Sequence, residues 1–325
     1  MKKRLGEASV LNRILDIRWL YSFLGLVVIF VISSILSKSF FTAGNLMTIL
    51  RQASILLMLS LGLTAVVLTG NIDLSVNSCA ALTGCICAKM LVEQMPVGLA
   101  ILISMLVGVA SGVFNGFLVG VLRLPSFIAT YGTNMVLSGL ATIVMNGGVI
   151  YDLPEGFCKL GVGYLGPIPV PIIIVAAAAI VLVLLLQKTT LGRKIYMYGH
   201  NLTASKFSGT SNLRILMISF ILCGLTGAFG GILMCARLNA ADAGMADTYG
   251  LQIVAAVVVG GTSLLGGEGS IFGTIIGAIV LTSITNIMNL LMIDSAWQNL
   301  VVGVVILLMV WIDVFTRSKR TKKAG

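Results

Sequence analysis

Long apolar runs, separated by short polar or glycine- and proline-containing connections, follow one another along almost the whole chain. The hydrocarbon core of a bilayer is about 30 Å thick, and an α-helix needs about 20 residues to cross it. Strict alternation of apolar and polar residues is absent, which argues against a β-barrel. We therefore predict an all-α chain with about ten transmembrane helices, the eighth the shortest, near residues 20–37, 46–69, 74–92, 97–122, 127–145, 169–187, 215–236, 250–264, 270–291 and 297–315.

The composition supports an integral membrane protein. Of the 325 residues, 58% are hydrophobic and 10% are charged, and the mean hydropathy is +1.07. Soluble domains carry about 25% charged residues. A chain with so little charge cannot cover itself with a surface compatible with water, and the connections are too short to fold as separate domains.

The distribution of positive charge predicts the orientation. Three segments, 1–19, 188–214 and 316–325, each hold five of the 21 Lys and Arg residues. With ten spans and a cytoplasmic N-terminus, all three segments face the cytoplasm, as the positive-inside rule requires. We therefore expect a basic cytoplasmic N-terminus (1–19), a permease domain (20–315) with an outer loop at 146–168, and a basic cytoplasmic tail (316–325). The net charge of +10 then reflects topology and does not indicate a nucleic-acid partner.

Glycines recur at helical spacing in two of the predicted spans. They lie at 108, 112, 116 and 120, and again at 269, 273 and 277. Small residues on one helix face allow two backbones to approach closely in a membrane. We expect these faces to pack against other helices, and we expect the cysteines, which show no metal-ligand spacing, to act as small packing residues.

Motifs for catalysis or nucleotide binding are missing from the sequence. It has no Gly-Lys pair, and hence no phosphate-binding loop of the G-x-x-x-x-G-K-[ST] type, and His200 is its one histidine. We predict that the chain is not an enzyme and binds no cofactor or metal. Any energy for transport would come from another protein or from an ion gradient. An ion-coupled transporter commonly uses several carboxylates within the membrane, whereas only Asp73 is placed there.

Asp73 lies in the stretch GNIDLSVN (70–77), which interrupts two strongly apolar runs. In a structural interpretation, Gly70 ends one helix with a left-handed cap and Asp73 is the N-cap of the next helix. In a functional interpretation, the break lines the pathway and Asp73 gates it or contacts the solute. The structural interpretation needs no further assumption, because a capped turn satisfies the free backbone groups of both helices.

The segment 188–214 is the longest of the connections predicted to face the cytoplasm. Gly192 and Gly199 bracket a short piece of it, and Asn201 is placed to cap a helix through residues 203–207. Either this segment is a solvated basic loop that sets the topology, or it carries a helix that docks onto a cytoplasmic partner.

Six motifs, in order and at compatible spacing, resemble the permease subunits of bacterial ATP-binding-cassette importers for simple sugars, the ribose, galactose and xylose group. They are GNIDLSVN at 70–77, NGFLVGVLRLPSFIATYGT at 115–133, LGRKIYMYGHNLTASKFSG at 191–209, GAFGGILMCARL at 227–238, VVVGGTSLLGGEGSIFGTIIGA at 257–278 and WQNLVVGVVIL ending at 307. The resemblance implies a ten-helix fold of the cobalamin and siderophore importer type, in the bacterial inner membrane.

The resemblance also implies partners. Two copies of the chain would form the pathway, a cytoplasmic ATPase subunit with two nucleotide-binding domains would bind ATP and Mg²⁺, and a periplasmic or lipid-anchored protein would deliver a monosaccharide. The positions that correspond to the ATPase-coupling loop are Gly192, Arg193, Gly199, Asn201, Ala204 and Gly209. The positions that would line or gate the pathway are Asn71, Asp73, Ser75, Gly260, Gly261, Thr262 and Ser263.

The chain departs from the family pattern at several positions, among them Asn71 and Asn77 in the first motif. The family commonly has Glu-Leu-Asp before its run of alanine and valine, where this sequence has Gly250, Leu251 and Gln252. Polar and aromatic side chains are scarce in the predicted spans, so we expect the pathway to hold sugar weakly and the delivery protein to supply most of the specificity.

Overall fold

The computed structural model describes residues 18–207, 209, 211–294, 296–298, 300–305, 307–308 and 311. Its first helices are α1 (Arg18–Leu36), α2 (Ala43–Leu68), α3 (Val76–Val92), α4 (Val97–Gly120), α5 (Ser126–Met145) and α6 (Glu155–Val162). Those that follow are α7 (Val170–Lys188), α8 (Thr190–His200), α9 (Leu202–Phe207), α10 (Asn212–Leu238), α11 (Gly250–Val259) and α12 (Ile271–Leu290). The strands are β1 (Ile150–Tyr151), β2 (Tyr164–Leu165), β3 (Ile168–Pro169) and β4 (Ala240–Ala241).

Six helices of the described part of the chain are long and apolar enough to cross a membrane, namely α2, α4, α5, α7, α10 and α12. Shorter apolar helices, Ser22–Leu36, Val76–Val92, Asp247–Val259 and Ala296–Val305, fall at the other four predicted segments. The prediction of a helical, multi-span membrane protein is confirmed. The count of ten spans stays a prediction, as does the orientation, because most of the basic end segments (1–17 and 316–325) lies outside the described residues.

The eighth predicted segment, 250–264, is too long at its end. Helix α11 stops at Val259, and residues 260–270 form an irregular loop. Four glycines of this loop, at 261, 266, 267 and 269, have positive φ angles, a conformation that side chains with a Cβ seldom adopt. The apolar residues 264 and 265 made the segment resemble a continuous span, although the backbone turns away before them.

The glycine row of α4 packs against α10. A Cβ atom on Gly108 would lie 2.6 Å from the carbonyl oxygen of Gly224, and one on Gly112 would lie 2.7 Å from the Cα of Ile221. A Cβ on Gly116 would lie 2.8 Å from the sulfur of Met217. Only glycine lets the two backbones come this close, so the predicted packing role of this row is confirmed.

Helices α2, α11 and α12 pack together, and we call them the three-helix unit. The hydroxyls of Thr64 and Thr274 are 2.8 Å apart, and the Ser60 hydroxyl donates to the Ile253 carbonyl at 3.3 Å. A Cβ atom on Gly277 would lie 2.8 Å from the backbone nitrogen of Gly260. Hydrogen bonds and close backbone contacts therefore hold the unit together. Because of these contacts, a movement of one helix displaces the others.

The connections are compact, as the sequence predicts. In the outer loop, β1 pairs with β4, which follows α10, and β2 pairs with β3, both antiparallel; α6 lies between β1 and β2 in the chain. The segment 188–214 folds into α8 and α9. These short elements leave each connection with few free backbone groups, which fits a position at the membrane surface.

Candidate functional site

The break between α2 and α3 is a hydrogen-bonded turn. Gly70 has φ +75°, and its N–H donates to the Val67 carbonyl at 2.9 Å, while the Asn71 N–H donates to the Val66 carbonyl at 3.4 Å. These paired bonds form a Schellman motif, so the predicted left-handed cap at Gly70 is confirmed. Further along, the Leu74 N–H donates to the Thr130 hydroxyl at 3.0 Å, which ties the break to α5.

Asp73 is not the N-cap of α3, so this part of the prediction is wrong. Ser75 is the N-cap, because its carbonyl accepts the first bond of the helix, from Cys79 N–H at 2.8 Å. Asp73 Oδ1 accepts from the Ser75 N–H at 2.9 Å and from the Ser75 hydroxyl at 2.6 Å. The Asp73 carboxylate therefore forms a turn with Ser75, two residues before the N-cap, and does not cap α3 itself.

The Asp73 side chain is enclosed within the chain. It is 3% exposed, and the Asn115 amide of α4 donates to both of its oxygens at 3.3 Å and to the Ser75 hydroxyl at 2.8 Å. The carboxylate thus joins the break to α4. Asn71, also predicted to line the pathway, is half-buried, and its amide bonds back to the Thr69 hydroxyl at 3.0 Å.

Three of the recognised motifs meet at one place, which we call the coupling junction (residues 68–70, 199–200 and 265–267). The Gly267 N–H donates to the Leu68 carbonyl at 2.8 Å. A Cβ atom on Gly199 would collide with the Leu68 carbonyl and lie 2.5 Å from the Gly267 nitrogen. A Cβ on Gly266 would lie 2.6 Å from the Gly70 nitrogen. The end of α8 therefore packs directly on the break and on the 260–270 loop.

Two tyrosines of α8 strengthen this contact. The Tyr196 hydroxyl donates to the Gly269 carbonyl at 2.9 Å, and Tyr198 is 8% exposed. Burial raises the pKa of both phenols above the ordinary value. Both hydroxyls therefore stay protonated at physiological pH, and the Tyr196 donor is retained.

The other coupling positions are spread along 188–214. Gly192 is buried, with a would-be Cβ 2.5 Å from the Leu186 Cα, whereas Arg193 and Ala204 are exposed. The Asn201 side chain accepts from the N–H groups of residues 203 and 204 at 2.9 and 3.0 Å, so the predicted cap of α9 is confirmed. Gly209 is exposed, with φ +72°. Of the six positions, Gly199 is the one in contact with the break.

The predicted path residues of the 260–270 loop are packed inside the chain. Thr262 and Ser263 are 1% and 0% exposed, and the Ser263 N–H donates to the Glu268 carbonyl at 2.9 Å. A Cβ atom on Gly260 would lie 2.7 Å from the Thr274 nitrogen, and Gly261 has φ +85°. These four residues lie between the coupling junction and the three-helix unit.

A polar cavity that the sequence analysis missed lies at the opposite ends of the same three helices. Its volume is about 390 Å³, within the range of small-molecule sites. Residues 282, 285 and 289 contribute one face of α12, a spacing of three and four that the sequence shows. The lining comprises Gln52, Leu56, Arg237, Thr248, Tyr249, Gln252, Thr282, Thr285, Asn289 and Gln298.

The cysteines are all free thiols, and Cys158 is the partly exposed one, while the others are buried. Cys158 belongs to α6 in the outer loop, and its thiol lies 3.2 Å from the Asn239 side-chain oxygen. Burial, and then the nearby Glu155, raises the pKa of this thiol above its ordinary value. Within the described residues, no three His, Cys, Asp or Glu side chains converge as a metal site.

Comparison with known proteins supports the resemblance. A family model described as "Branched-chain amino acid transport system / permease component" matches residues 45–310. Ribose import permease protein RbsC of Haemophilus influenzae is 37% identical over 303 residues, 92% of this chain and 94% of that protein. The Bacillus subtilis protein of the same name is 39% identical over 293 residues, 90% and 91% of the two chains. D-allose transport system permease protein AlsC of Escherichia coli is 32% identical, and 88% of each chain is covered.

No solved structure matches this chain. The family model nevertheless spans both the break and the coupling junction, and the relatives are aligned over nearly their whole length. Together with the long apolar helices, these matches place the protein in the bacterial inner membrane, crossing it several times. The chain belongs to the family of permease subunits of bacterial ATP-binding-cassette importers.

Proposed function

We propose that this chain is the membrane-spanning subunit of an importer for a ribose-like monosaccharide, and that it is driven by ATP hydrolysis in a separate subunit. The contact at the coupling junction carries this proposal. Gly199, at the end of α8, packs against the Leu68 carbonyl and the Gly267 nitrogen, so a force on segment 188–214 reaches α2 and the 260–270 loop without an intervening flexible linker. Named ribose permeases among the relatives supply the class of solute.

The proposed assembly contains three kinds of chain. Two copies of this protein form the pathway, and a cytoplasmic subunit with two nucleotide-binding domains binds ATP and Mg²⁺. A periplasmic or lipid-anchored protein delivers the sugar. The chain itself is not an enzyme and binds no cofactor, in keeping with its lack of a phosphate-binding loop.

The proposed topology has ten spans with both ends in the cytoplasm, as in the cobalamin and siderophore importers. Six long and four shorter apolar helices at the ten predicted segments support this count. It places 188–214 and the coupling junction on the cytoplasmic side and the polar cavity near the outer side.

The proposed roles of the site residues follow from their positions. The exposed surface of α8, α9 and the residues after them docks on the ATPase. It includes Arg193, Ala204 and Gly209. The shape of this surface is maintained by Gly192, Gly199 and Asn201. Asn71, Asp73, Ser75 and residues 260–263 form the moving inner part of the pathway. As packed residues, they would act by changing position and not by binding the solute.

Uptake into proteoliposomes tests the proposal. The purified chain, alone or with its ATPase and binding protein, is supplied with labelled ribose, with and without internal or external ATP and with imposed proton or sodium gradients. We expect uptake only from the complete assembly with ATP at the face that carries the ATPase. Uptake by the chain alone, following an ion gradient, would instead support an ion-coupled secondary transporter.

A further inference from the structure

The polar cavity at the ends of α2, α10, α11 and α12 has an unusual chemical character for a membrane interior. Apart from Leu56, its lining residues carry amide, hydroxyl or guanidinium groups. Buried polar groups in proteins normally find hydrogen-bond partners. At Asn289 and Gln298 they do, because the Gln298 amide donates to the Asn289 oxygen at 2.7 Å.

The side chains of Gln52, Arg237 and Gln252 make no hydrogen bond with any residue that the structure describes, although each is half-buried. Two amides offer four N–H donors and two carbonyl acceptors, and a guanidinium offers five donors in a planar fork. These donors and acceptors face the cavity, so they can form hydrogen bonds with water or with a solute. Among the described residues that line the cavity, Arg237 is the one charged residue. Charge complementarity therefore requires that the solute accept hydrogen bonds from a positively charged group.

A solute that fits must present many lone pairs together with some donors, in a volume of about 390 Å³. A ring with several hydroxyl groups meets this requirement, since each hydroxyl both donates and accepts. The guanidinium satisfies lone pairs, while the amide oxygens of Gln52 and Gln252 accept hydroxyl protons. Tyr249, beside Arg237, adds an aromatic surface for the apolar face of such a ring.

We propose that this cavity is a binding subsite for a neutral polyhydroxylated solute within the membrane subunit, with Arg237, Gln52 and Gln252 as its recognition groups. The inference rests on the proposed import function, and it differs from the expectation that the delivery protein supplies most of the specificity. Solute released by the delivery protein would pause here before the inner part of the pathway opens.

The three-helix unit links this subsite to the coupling junction. Gln52 and Leu68 lie 16 positions apart on the single helix α2, about 24 Å at 1.5 Å per residue. In α11, Gln252 lies near the start of the helix and Gly260 follows directly after its last residue. In α12, residues 271 and 289 lie near the two ends. A displacement of these helices at the junction therefore alters the spacing of the recognition groups.

The test measures ribose binding to the permease–ATPase complex in nanodiscs, without the delivery protein, by saturation-transfer NMR, and ATP-driven ribose uptake by the complete assembly in proteoliposomes. Arg237→Met and Gln252→Leu keep most of the side-chain volume and remove the donors. We expect each to weaken ribose binding at least tenfold and to lower ATP-driven uptake. Lys159→Met and Gln94→Leu, at exposed positions of the outer connections, are the matched controls and should bind as the unaltered protein does.

Three outcomes would overturn the proposal. Uptake of ribose by the complete assembly without detectable binding to the permease would reject the subsite and leave the import function intact. Variants that bind ribose as well as the unaltered protein would reject the assigned groups. Ribonate, which carries a carboxylate, is measured in parallel, and tenfold tighter binding of ribonate than of ribose would show that Arg237 selects an anion. Failure of both binding and ATP-driven uptake would reject the import function itself.

Discussion

Asp73 is a carboxylate without a cationic partner among the described residues, held by a backbone N–H, a hydroxyl and an amide. An asparagine at this position keeps one oxygen that accepts from the Ser75 N–H. We therefore expect Asp73→Asn to retain the fold and at least half of the uptake. Thermal unfolding of the detergent-solubilised protein and uptake by the assembly would be measured together.

A substitution that cannot accept a hydrogen bond gives the matched comparison. Asp73→Leu leaves the Ser75 N–H without its acceptor and removes the bonds from the Asn115 amide to the carboxylate, and a buried group without a partner costs about 1–3 kcal/mol. We expect this variant to unfold at a lower temperature than Asp73→Asn. A stable Asp73→Asn protein that no longer transports would contradict the structural role and favour a role of the charge in gating.

Gly199 illustrates how a single atom can disrupt the coupling junction. A methyl group here would collide with the backbone carbonyl of Leu68, and overpacking of this kind costs about 1–3 kcal/mol. We expect Gly199→Ala to reduce ATP-driven uptake at least tenfold, because α8 must move away from the break. Uptake would be compared with that of Gly132→Ala, a helix position with nothing within 4 Å of the added carbon. Equal uptake by the two variants would exclude a tight junction.

The short helix α9 depends on one side chain at its start. Asn201 accepts the N–H groups of residues 203 and 204, and loss of such a cap costs about 1 kcal/mol. We predict that Asn201→Ala weakens the affinity of the permease for its ATPase several-fold, and that Asn201→Asp restores most of it. The measurement is the fraction of ATPase that copurifies at graded concentrations. An unaltered affinity in Asn201→Ala would place the docking surface elsewhere.

At the level of elements, local signals in the sequence predicted most of the helices. Apolar length located α2, α4, α5, α7, α10 and α12 within a few residues, and the α4 glycine row correctly indicated a close helix contact. The caps at Gly70 and Asn201 were also predictable, because each bonds only to residues within four positions. These features depend on neighbours in the chain, so the sequence carries them directly.

Features that depend on distant residues could not be predicted in the same way. The shift of the N-cap from Asp73 to Ser75 reflects the amide of Asn115, 42 positions away. The early end of α11 at Val259 follows from its packing against α12. The polar cavity gathers polar residues from α2, α10, α11 and α12 and from residues 248, 249 and 298, and no single stretch of the sequence shows that they meet.

At the scale of the molecule, the same three helices end at the coupling junction on one side and at the polar cavity on the other. Their contacts include hydrogen bonds between Thr64 and Thr274 and between Ser60 and Ile253, so they move as one body more readily than as separate helices. On the proposed topology, a cytoplasmic movement at the coupling junction would be transmitted along α2 to the polar cavity, about 24 Å away. The close backbone contacts at the coupling junction explain why glycine is found where three of the motifs meet.

The orientation of the whole molecule can be tested with two thiols at opposite faces. Cys158 lies in the outer loop, and Phe207, 89% exposed, lies in α9 on the side predicted to face the cytoplasm. A membrane-impermeant maleimide added to spheroplasts should label the unaltered protein at Cys158. A variant with both Cys158→Ser and Phe207→Cys should be labelled only in inside-out vesicles, and less so when the ATPase is bound.

The pH dependence of this labelling identifies the thiol. The thiolate is the reactive form, and burial raises the pKa of Cys158, so the thiolate fraction is small at neutral pH and grows as the pH rises. We expect the labelling rate at Cys158 to increase about tenfold per pH unit between pH 7 and 8, and to be lower at pH 7 than that of the exposed cysteine in the double variant. Labelling of that variant in intact spheroplasts would mean that α8 and α9 face outward. No cytoplasmic ATPase could then reach the coupling junction.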